Sequence, residues 1–285
     1  MFEGFKLDMI ALPEATLRVR HGGAGPPVLL LHGHPRTHAT WAKVAPLLAR
    51  THAVVCPDLR GFGQSSKPAD TPGHPGSSKR AKARDCVALM AALGFGRFAI
   101  VGHDRGAYTA FRAAMGHPAC ITHLAILDAV PILAALERCD ARFAAAWWHW
   151  FFFAQPEKPE RAIGADPDAW YGGSPEIMGV EAYADFRAAI HDPAVIHGMV
   201  EDYRAGLGID RQHDAADRRA GRKIICPALL LWSLRDDLQQ LFGDVLDVWR
   251  PWATDLSGQG IDCGHHMAEE APEELARELL RFLKK

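Results

Sequence analysis

The chain has 285 residues and a formal net charge of −2, with 48 % hydrophobic and 23 % charged residues. This composition is typical of a globular protein with a sizeable core, and it gives no electrostatic reason to expect a nucleic acid or a membrane surface as partner. No apolar run reaches the ~20 residues that a membrane-spanning helix needs. The N-terminus lacks the basic lead and apolar stretch of a signal peptide, and six cysteines are scattered along the chain, so we expect a cytoplasmic protein with reduced thiols.

Short apolar runs alternate with helical patterns along most of the chain. Strands are predicted over 28–31, 52–56, 98–101, 124–127 and 228–232, and helices over 39–49, 79–93, 106–115 and 272–283. Near-continuous apolar strands that alternate with helices indicate a parallel sheet covered on both faces. The stretch 68–78, rich in Pro, Gly and Ser, is predicted to be a surface loop. The charged cluster from Lys79 to Arg84 is predicted to be the solvated start of a helix.

The alternation stops between about 132 and 222. That stretch has no buried-strand pattern and is rich in aromatic residues, including the run WWHWFFF from Trp147 to Phe153. We predict a helical cap over 132–222, inserted into a core domain formed by 1–131 and 223–285. A helical subdomain without a catalytic role is the alternative.

A candidate nucleophile lies in the segment IVGHDRGA, residues 100–107. The segment predicts a strand that turns sharply into a helix, with small residues on both sides of the turn and Asp104 raised at its tip. An aspartate at this position could instead simply cap the helix. The backbone N–H groups of His34, in LLHGHP, and of Arg105 could form an oxyanion hole facing Asp104.

A histidine and an acid would complete this arrangement. The segment DCGHHMAEEAP, residues 262–272, places His265 after a glycine and before the last helix, with His266 as its competitor for the role of base. Nucleophile, acid and histidine would then follow one another in the order expected on an α/β-hydrolase fold. Asp128, at the end of strand 124–127, and Asp236, after strand 228–232, are both candidates for the acid that orients the histidine.

Four segments, HGHPRTHATW, PDLRGFGQSSKP, VGHDRGA and CGHHMAEEAPEE, resemble the α/β-hydrolase superfamily over nearly the whole chain. The aspartate in the turn resembles the branch that holds haloalkane dehalogenases, epoxide hydrolases and haloacetate dehalogenases. The first two usually carry Trp after this aspartate, whereas Arg105 resembles the haloacetate (fluoroacetate) dehalogenases. WHWFFFAQP at 148–156 and EDYRAG at 201–206 resemble the cap of that family specifically.

The resemblance implies a role for each candidate residue. Asp128 is favoured over Asp236 as the acid, and the halide pocket is formed by His149, Trp150 and Tyr203. Packing within an aromatic helix is the alternative explanation of the Trp-His-Trp run. Arg105 is expected to bind the substrate's carboxylate. The family usually has a second arginine three residues later. This chain has Tyr108 there, which could donate one hydrogen bond to the same carboxylate.

The expected reaction converts haloacetate and water into glycolate, halide and a proton. A carboxylate that attacks an sp³ carbon forms an ester, which water can cleave, whereas a serine would form an inert ether. Neither a metal nor a cofactor is expected, the partner is a small haloacid, and the resemblance suggests a homodimer. The alternatives are an epoxide hydrolase or haloalkane dehalogenase that uses the same Asp104 and His265, and a non-catalytic binding protein.

Overall fold

A computed structural model describes residues 1–284 and is built around one eight-stranded sheet with the strand order β1-β2-β4-β3-β5-β6-β7-β8. The strands are β1 (Lys6–Ala11), β2 (Thr16–Gly22), β3 (Pro27–Leu31), β4 (Ala53–Pro57), β5 (Phe98–His103), β6 (Ile121–Leu127), β7 (Ala228–Ser233) and β8 (Leu256–Ile261). β3 to β8 are parallel, whereas β1 pairs antiparallel with β2 and β2 pairs antiparallel with β4. The predicted α/β fold with a mostly parallel sheet is confirmed.

The five predicted strands correspond to β3 to β7, whereas the three strands at the sheet edges, β1, β2 and β8, were not predicted. β1 is exposed along most of its length, and β2 alternates apolar with polar residues. β8 contains Gly258 and Gly260 and fully buries only Ile261. None of these strands is covered on both faces along its length, so none produces the continuous apolar run on which the prediction relied.

Within residues 1–284, seven α-helices belong to the segments before β6 and after β7. They are α1 (Ala45–Leu48), α2 (Lys79–Ala92), α3 (Arg105–Gly116), α13 (Leu238–Phe242), α14 (Val245–Trp249), α15 (Met267–Glu270) and α16 (Pro272–Phe282). The helix predicted over 39–49 is wrong as a single element: a 3₁₀ turn at His38–Trp41 precedes the short α1. Pro46 at the start of α1 has no N–H to donate, which prevents one continuous helix.

Between β6 and β7 the described chain contains helices and no strand. These are α4 (Ile132–Glu137), α5 (Ala141–Ala146), α6 (Trp148–Phe153), α7 (Lys158–Ala165), α8 (Pro167–Tyr171), α9 (Pro175–Met178), α10 (Val180–Ile190), α11 (Pro193–Ala205) and α12 (Arg211–Arg219). α11 continues through one π-helical turn, Gly206–Asp210, into α12. This is the stretch in which the cap was predicted. Among residues 1–284, no helix is both long and apolar enough to span a membrane.

The sheet separates two hydrophobic cores. Leu29 and Leu31 of β3 contribute to the core that also holds residues of α2, α3 and the inserted helices, whereas Val28 and Leu30 contribute to the core beneath α1 and α16. This alternation is the period of two that a strand covered on both faces requires. Because β3, β5, β6 and β7 are parallel, their carboxyl ends lie at the same edge of the sheet.

The predicted solvated start of α2 is wrong for two of its lysines. Lys79 and Lys82 are 2 % and 1 % exposed. Both ammonium groups pair with the carboxylate of Asp202 on α11, and the Lys79 Nζ atom lies 2.7 Å from Asp202 Oδ1. Buried carboxylates on the inserted helices thus explain a charge cluster that resembles an ordinary exposed helix face in sequence.

Candidate active site

Asp104 occupies a strained turn between β5 and α3, with φ +48° and ψ −117°. The turn is tight enough to exclude side chains from both flanking glycines. A Cβ on Gly102 would lie 2.3 Å from the Gly106 oxygen, and one on Gly106 would lie 2.5 Å from the Leu31 oxygen. A non-glycine residue held at positive φ costs free energy and is often found at functional sites. The turn lifts the Asp104 carboxylate above the carboxyl edge of the sheet.

A backbone donor contacts this carboxylate directly. The N–H of His34 donates a hydrogen bond to Asp104 Oδ2 at 2.7 Å. Gly33 permits this approach, because a Cβ there would lie 2.6 Å from the same oxygen. The N–H of Arg105 begins α3, where amides have no partner within the helix. The two predicted oxyanion-hole donors therefore flank Asp104.

His265 lies between two aspartates, and both contact the same ring nitrogen. Its Nδ1 atom is 2.7 Å from Asp128 Oδ2 and 3.1 Å from Asp236 Oδ2. Asp128 is buried and accepts a second hydrogen bond from the N–H of Ser233 at 2.9 Å, whereas the Asp236 side chain is 33 % exposed. The two candidates for the acid are thus not mutually exclusive. Asp128 makes the shorter contact and is the more firmly held.

The charge state of His265 follows from these contacts. Burial lowers its pKa, but the hydrogen bonds to Asp128 and Asp236 raise it more, so the pKa lies well above the usual value of 6.5. For Asp236, burial raises the pKa, but the hydrogen bond from His265 lowers it by more, so that the pKa lies at about 2. A proton on Nδ1 that faces two carboxylates leaves Nε2 as the basic atom once the ring is neutral.

His266, the competing candidate for the base, has different surroundings. Its ring contacts that of His265 edge-on, with 5.2 Å between the centroids, and its buried Nδ1 has no partner among residues 1–284. Burial lowers its pKa well below the usual value, and the charges of Arg36 and His265 lower it further. Because a base needs a group that stabilises its protonated form, the geometry favours His265.

The Asp104 carboxylate and His265 line one cavity of about 270 Å³ beneath the inserted helices. On the sheet side the cavity is also lined by His34, Tyr108, Asp128, Asp236, Asp237 and His266. On the side of the inserted helices it is lined by Trp147, His149, Trp150 and Tyr203. The three residues predicted to bind halide therefore lie in the same cavity as the predicted nucleophile and base.

These three residues present donors that no protein group uses. The ring nitrogens of His149, the indole N–H of Trp150 and the hydroxyl of Tyr203 make no hydrogen bond to any residue in 1–284. Burial lowers the pKa of His149 to about 4 and raises that of Tyr203 well above 10, so both are neutral near pH 7. The cavity thus offers uncharged donors to an anion.

Arg105, predicted to bind a substrate carboxylate, does not line the cavity. It is 1 % exposed, and its Nε and Nη2 atoms donate to the carboxylate and the backbone oxygen of Asp202. Its guanidinium instead lies against the aromatic residues, with the central carbon 4.1 Å from the ring centroid of Tyr203. Two of its three nitrogens are therefore bound by the protein.

Comparisons with known proteins identify the family of this chain. The family model described as the alpha/beta hydrolase fold matches residues 26–165. A fluoroacetate dehalogenase from Burkholderia sp. is 42 % identical over 99 % of this chain and 95 % of its own. The chain belongs to the haloacetate (fluoroacetate) dehalogenase family of the α/β hydrolases. It is accordingly a hydrolase.

One solved structure and one further sequence relative are also similar to this dehalogenase-family chain. The crystal structure of a protein described as an alpha/beta hydrolase, from Nostoc sp. PCC 7120, has a TM-score of 0.95 and 43 % identity, covering 99 % of both chains. A soluble epoxide hydrolase from Corynebacterium sp. is 29 % identical, covering 91 % of each chain. Both support the same fold, and the second shows that epoxide hydrolases are relatives.

Tyr108 differs from the usual residue of the dehalogenase family, which has a second arginine at this position. It lines the cavity, is 3 % exposed, and packs edge-on against Trp150 with 6.1 Å between the centroids. Burial raises the pKa of its hydroxyl, which therefore stays protonated. Where the family usually has a second cation, this cavity has one neutral hydrogen-bond donor.

Two groups of side chains have ligand atoms close enough to share a metal ion, namely Asp70, His197 and Glu201, and Asp128, Asp236 and His265. The contacts of the second group are those of a histidine with two orienting acids. In the first group, His197 contacts Asp70 at 2.9 Å and Glu160 at 3.0 Å, which are ordinary ion-pair contacts. Nothing in either set requires a metal ion to explain it.

Part of the site was not predicted from the sequence. Trp147 lines the cavity and donates from Nε1 to Asp237 at 3.0 Å, and neither residue was singled out. Asp202, which binds Arg105, stands within the quoted EDYRAG segment, but its partner could not be inferred from the motif alone. The pairing of Asp237 could not be found either, because it depends on how α5 and α6 lie over β7.

Proposed function

We propose that this chain is a hydrolytic dehalogenase of small haloacids and that it works through an ester formed on Asp104. The observation that carries the proposal is that a candidate nucleophile, a base with its acid and three unused halide donors all line one cavity. The 42 % identity to a fluoroacetate dehalogenase over nearly the whole chain supports it. The simplest substrate of this class is haloacetate.

In the first step, an Asp104 oxygen attacks the carbon that bears the halogen. The C–O bond of an ester forms, the carbon–halogen bond breaks, and the halide leaves with the electron pair. His149, Trp150 and Tyr203 donate hydrogen bonds to the charge that develops on the halide. His34 N–H holds the other Asp104 oxygen, which keeps the carboxylate oriented.

In the second step, His265 Nε2 takes a proton from water, and the resulting hydroxide attacks the carboxyl carbon of Asp104. The oxyanion that forms is stabilised by the N–H groups of His34 and Arg105. Collapse of the intermediate breaks the ester bond and releases glycolate, and one proton passes to solvent. Asp128 holds His265 and stabilises its protonated form.

A second candidate is an epoxide hydrolase or haloalkane dehalogenase that acts on a neutral substrate. The specific observation in its favour is that no lysine or arginine from residues 1–284 lines the cavity, while Asp104, Asp128, Asp236 and Asp237 do. An anionic substrate would have to rely on neutral donors such as Tyr108. The 29 % identity to a soluble epoxide hydrolase is compatible with this alternative.

The test compares halide release from chloroacetate, fluoroacetate and chloroacetamide, with Asp104→Asn as the control. Chloroacetamide matches chloroacetate in size and differs in charge. Release from the acids that is lost in Asp104→Asn would support the proposal. Release from chloroacetamide alone, or hydrolysis of a neutral epoxide or chloroalkane with no reaction of either acid, would replace it with the second candidate.

We also propose that the enzyme works in a reducing, cytoplasmic setting. All six cysteines are unpaired, and Cys56, Cys86, Cys226 and Cys263 are buried. A homodimer, suggested by the family resemblance, is retained as a proposal that sedimentation velocity at several protein concentrations tests.

A further inference from the structure

His103 lies at the end of β5, directly before the candidate nucleophile, and takes no part in the reaction proposed above. Ala99 and Val101, earlier on the same face of the strand, contribute to the core beneath α1 and α16. The period of two in a strand places the His103 side chain on that face as well. It is 3 % exposed, and its ring packs against that of His265 with 4.6 Å between the centroids. A polar ring is therefore buried directly against the candidate base.

A hydrogen bond joins the nucleophile's strand to the loop that carries the base. His103 Nε2 lies 2.7 Å from the backbone oxygen of His265. Because a carbonyl oxygen only accepts, Nε2 must carry the proton and donate it, which leaves Nδ1 as the unprotonated ring nitrogen. Burial lowers the pKa of His103 well below 6.5, and the charge of His265 lowers it further, so the ring stays neutral near pH 7. It therefore holds the loop without placing a second positive charge next to the base.

Two other contacts of this loop do not replace the bond from His103. The N–H of Met267 donates to the same oxygen at 2.9 Å, but Met267 begins α15 and is the next residue but one along the chain, so this bond moves with the loop. The hydroxyl of Ser233, at the end of β7, donates to the oxygen of Cys263 and holds the earlier part of the loop. His103 thus fixes the backbone of the base itself to the strand that leads to Asp104.

We propose that His103 is a positioning residue that sets the distance between His265 and the ester on Asp104. The inference rests on the ester mechanism proposed above. In the second step, one water must lie within reach of both His265 Nε2 and the carboxyl carbon of Asp104, so the separation of these two atoms governs the rate. The first step needs Asp104 and the halide donors but no base. Loss of the contact from His103 should therefore slow hydrolysis of the ester and leave its formation unchanged.

The first experiment follows the formation and decay of the carboxymethyl ester in a single turnover of chloroacetate, by rapid quenching and intact-protein mass spectrometry. The wild type is compared with His103→Leu, which is similar in size but has no donor, and with His103→Gln, whose amide nitrogen can occupy the position of Nε2. We expect ester decay to slow by a factor on the order of 10² in His103→Leu, with the rate of formation unchanged. His103→Gln should recover most of this loss.

The matched control is His123→Leu, which removes a histidine from the neighbouring strand β6, where its ring packs against Phe282. Its ester should form and decay as in the wild type. Equal losses of formation and decay in His103→Leu would show a general structural role and overturn the proposal. A His103→Gln variant as slow as His103→Leu, or ester decay at the wild-type rate in both, would overturn it as well.

Far-UV circular dichroism checks the fold of each variant. If His103→Leu does not fold, His103→Asn takes its place, because the amide of asparagine is one methylene shorter than that of glutamine and does not reach the His265 oxygen. Ester decay at the wild-type rate in that variant counts against the proposal.

The second experiment needs no turnover and so separates a failure of this inference from a failure of the proposed function. The proton between His265 Nδ1 and Asp128 Oδ2, which are 2.7 Å apart, is followed as a downfield proton NMR signal of the resting protein and is assigned by its absence in His265→Gln. A ring that is held in place exchanges this proton slowly with water. We expect the signal in the wild type and in His103→Gln, and its loss through rapid exchange in His103→Leu.

An equally sharp signal in His103→Leu would contradict the role assigned to His103. A wild type that forms no ester but shows the expected pattern of signals would instead refute the proposed function, and the positioning of His265 by His103 would stand.

Discussion

At the scale of single residues, the charge of His265 is governed by two carboxylates that share its Nδ1 atom. Both stabilise the imidazolium, and the carboxylate of Asp104 does so from a greater distance. Formation of the ester neutralises Asp104, so the histidine loses one of these stabilising charges at the stage where it must act as a base. The reaction intermediate itself therefore makes His265 easier to deprotonate.

The pH dependence of the ester-hydrolysis step tests this arrangement. His265 must be neutral to accept a proton from water, and its raised pKa keeps it protonated below that pKa. The rate of ester hydrolysis should therefore rise with pH through a pKa above 6.5. Single-turnover hydrolysis measured from pH 6 to pH 10 checks the sign, and a rate that falls over this range would contradict it.

The two acids should have separable effects. Asp236→Asn removes one carboxylate from His265 but leaves the buried Asp128. The pH at which the rate of ester hydrolysis rises should therefore fall by roughly one pH unit, while the maximal rate at high pH is unchanged. Asp128→Asn removes the better-held partner and should lower kcat by a factor on the order of 10³. Parallel pH–rate profiles of the two variants measure this, and the reverse ranking would make Asp236 the principal acid.

At the scale of elements, α11 is tied to the core through Asp202. Asp202→Asn would leave Arg105, Lys79 and Lys82 buried without their carboxylate, so we expect a loss of about 3–5 kcal/mol in the free energy of unfolding. Asp168→Asn, which removes the exposed partner of Arg187, is the matched control and should cost much less, because water screens an exposed ion pair. Urea denaturation at pH 7 measures both, and similar losses would mean that the cluster adds no stability.

The loop that precedes α2 contacts α11 through two histidines. His197 Nε2 lies 2.9 Å from Asp70, and His74 Nδ1 lies 2.6 Å from Glu201. Burial lowers the pKa of His197, but the hydrogen bonds to Asp70 and Glu160 raise it more. The ion pair between His197 and Asp70 is therefore fully formed below pH 6.5, where His197 is protonated, and is lost as the pH rises through the raised pKa of His197.

We accordingly expect amide exchange in residues 68–74, corrected for intrinsic rates, to become faster between pH 6 and pH 9 in the wild type. In His197→Asn the exchange should be fast at both pH values. Hydrogen–deuterium exchange with mass spectrometry measures it, with peptides of β5 as the internal control. Protection that does not change with pH would show that the loop is held by other contacts.

At the scale of the whole molecule, the sequence predicted the features that depend on local chain geometry. Continuous apolar runs identified the strands covered on both faces, and glycines around Asp104 identified the turn that raises it. His265 was identifiable because it follows a glycine just before the last helix. Each of these signals lies within a few residues of the feature that it predicts.

What the sequence could not predict depends on contacts between distant segments. Arg105 follows the nucleophile directly, so its position was known, but its direction is set by Asp202, 97 residues later. The burial of Lys79 and Lys82 has the same cause. β8, with its two glycines, becomes a strand only because β7 pairs with it along its full length.

The proposed mechanism depends most on Asp104 forming an ester with the substrate. The most direct measurement treats His265→Gln, which should be unable to hydrolyse that ester, with chloroacetate and maps the protein by peptide mass spectrometry. We predict one equivalent of chloride released per protein and a carboxymethyl group on Asp104. Steady turnover by this variant, or chloride release with Asp104 unmodified, would contradict the proposed mechanism.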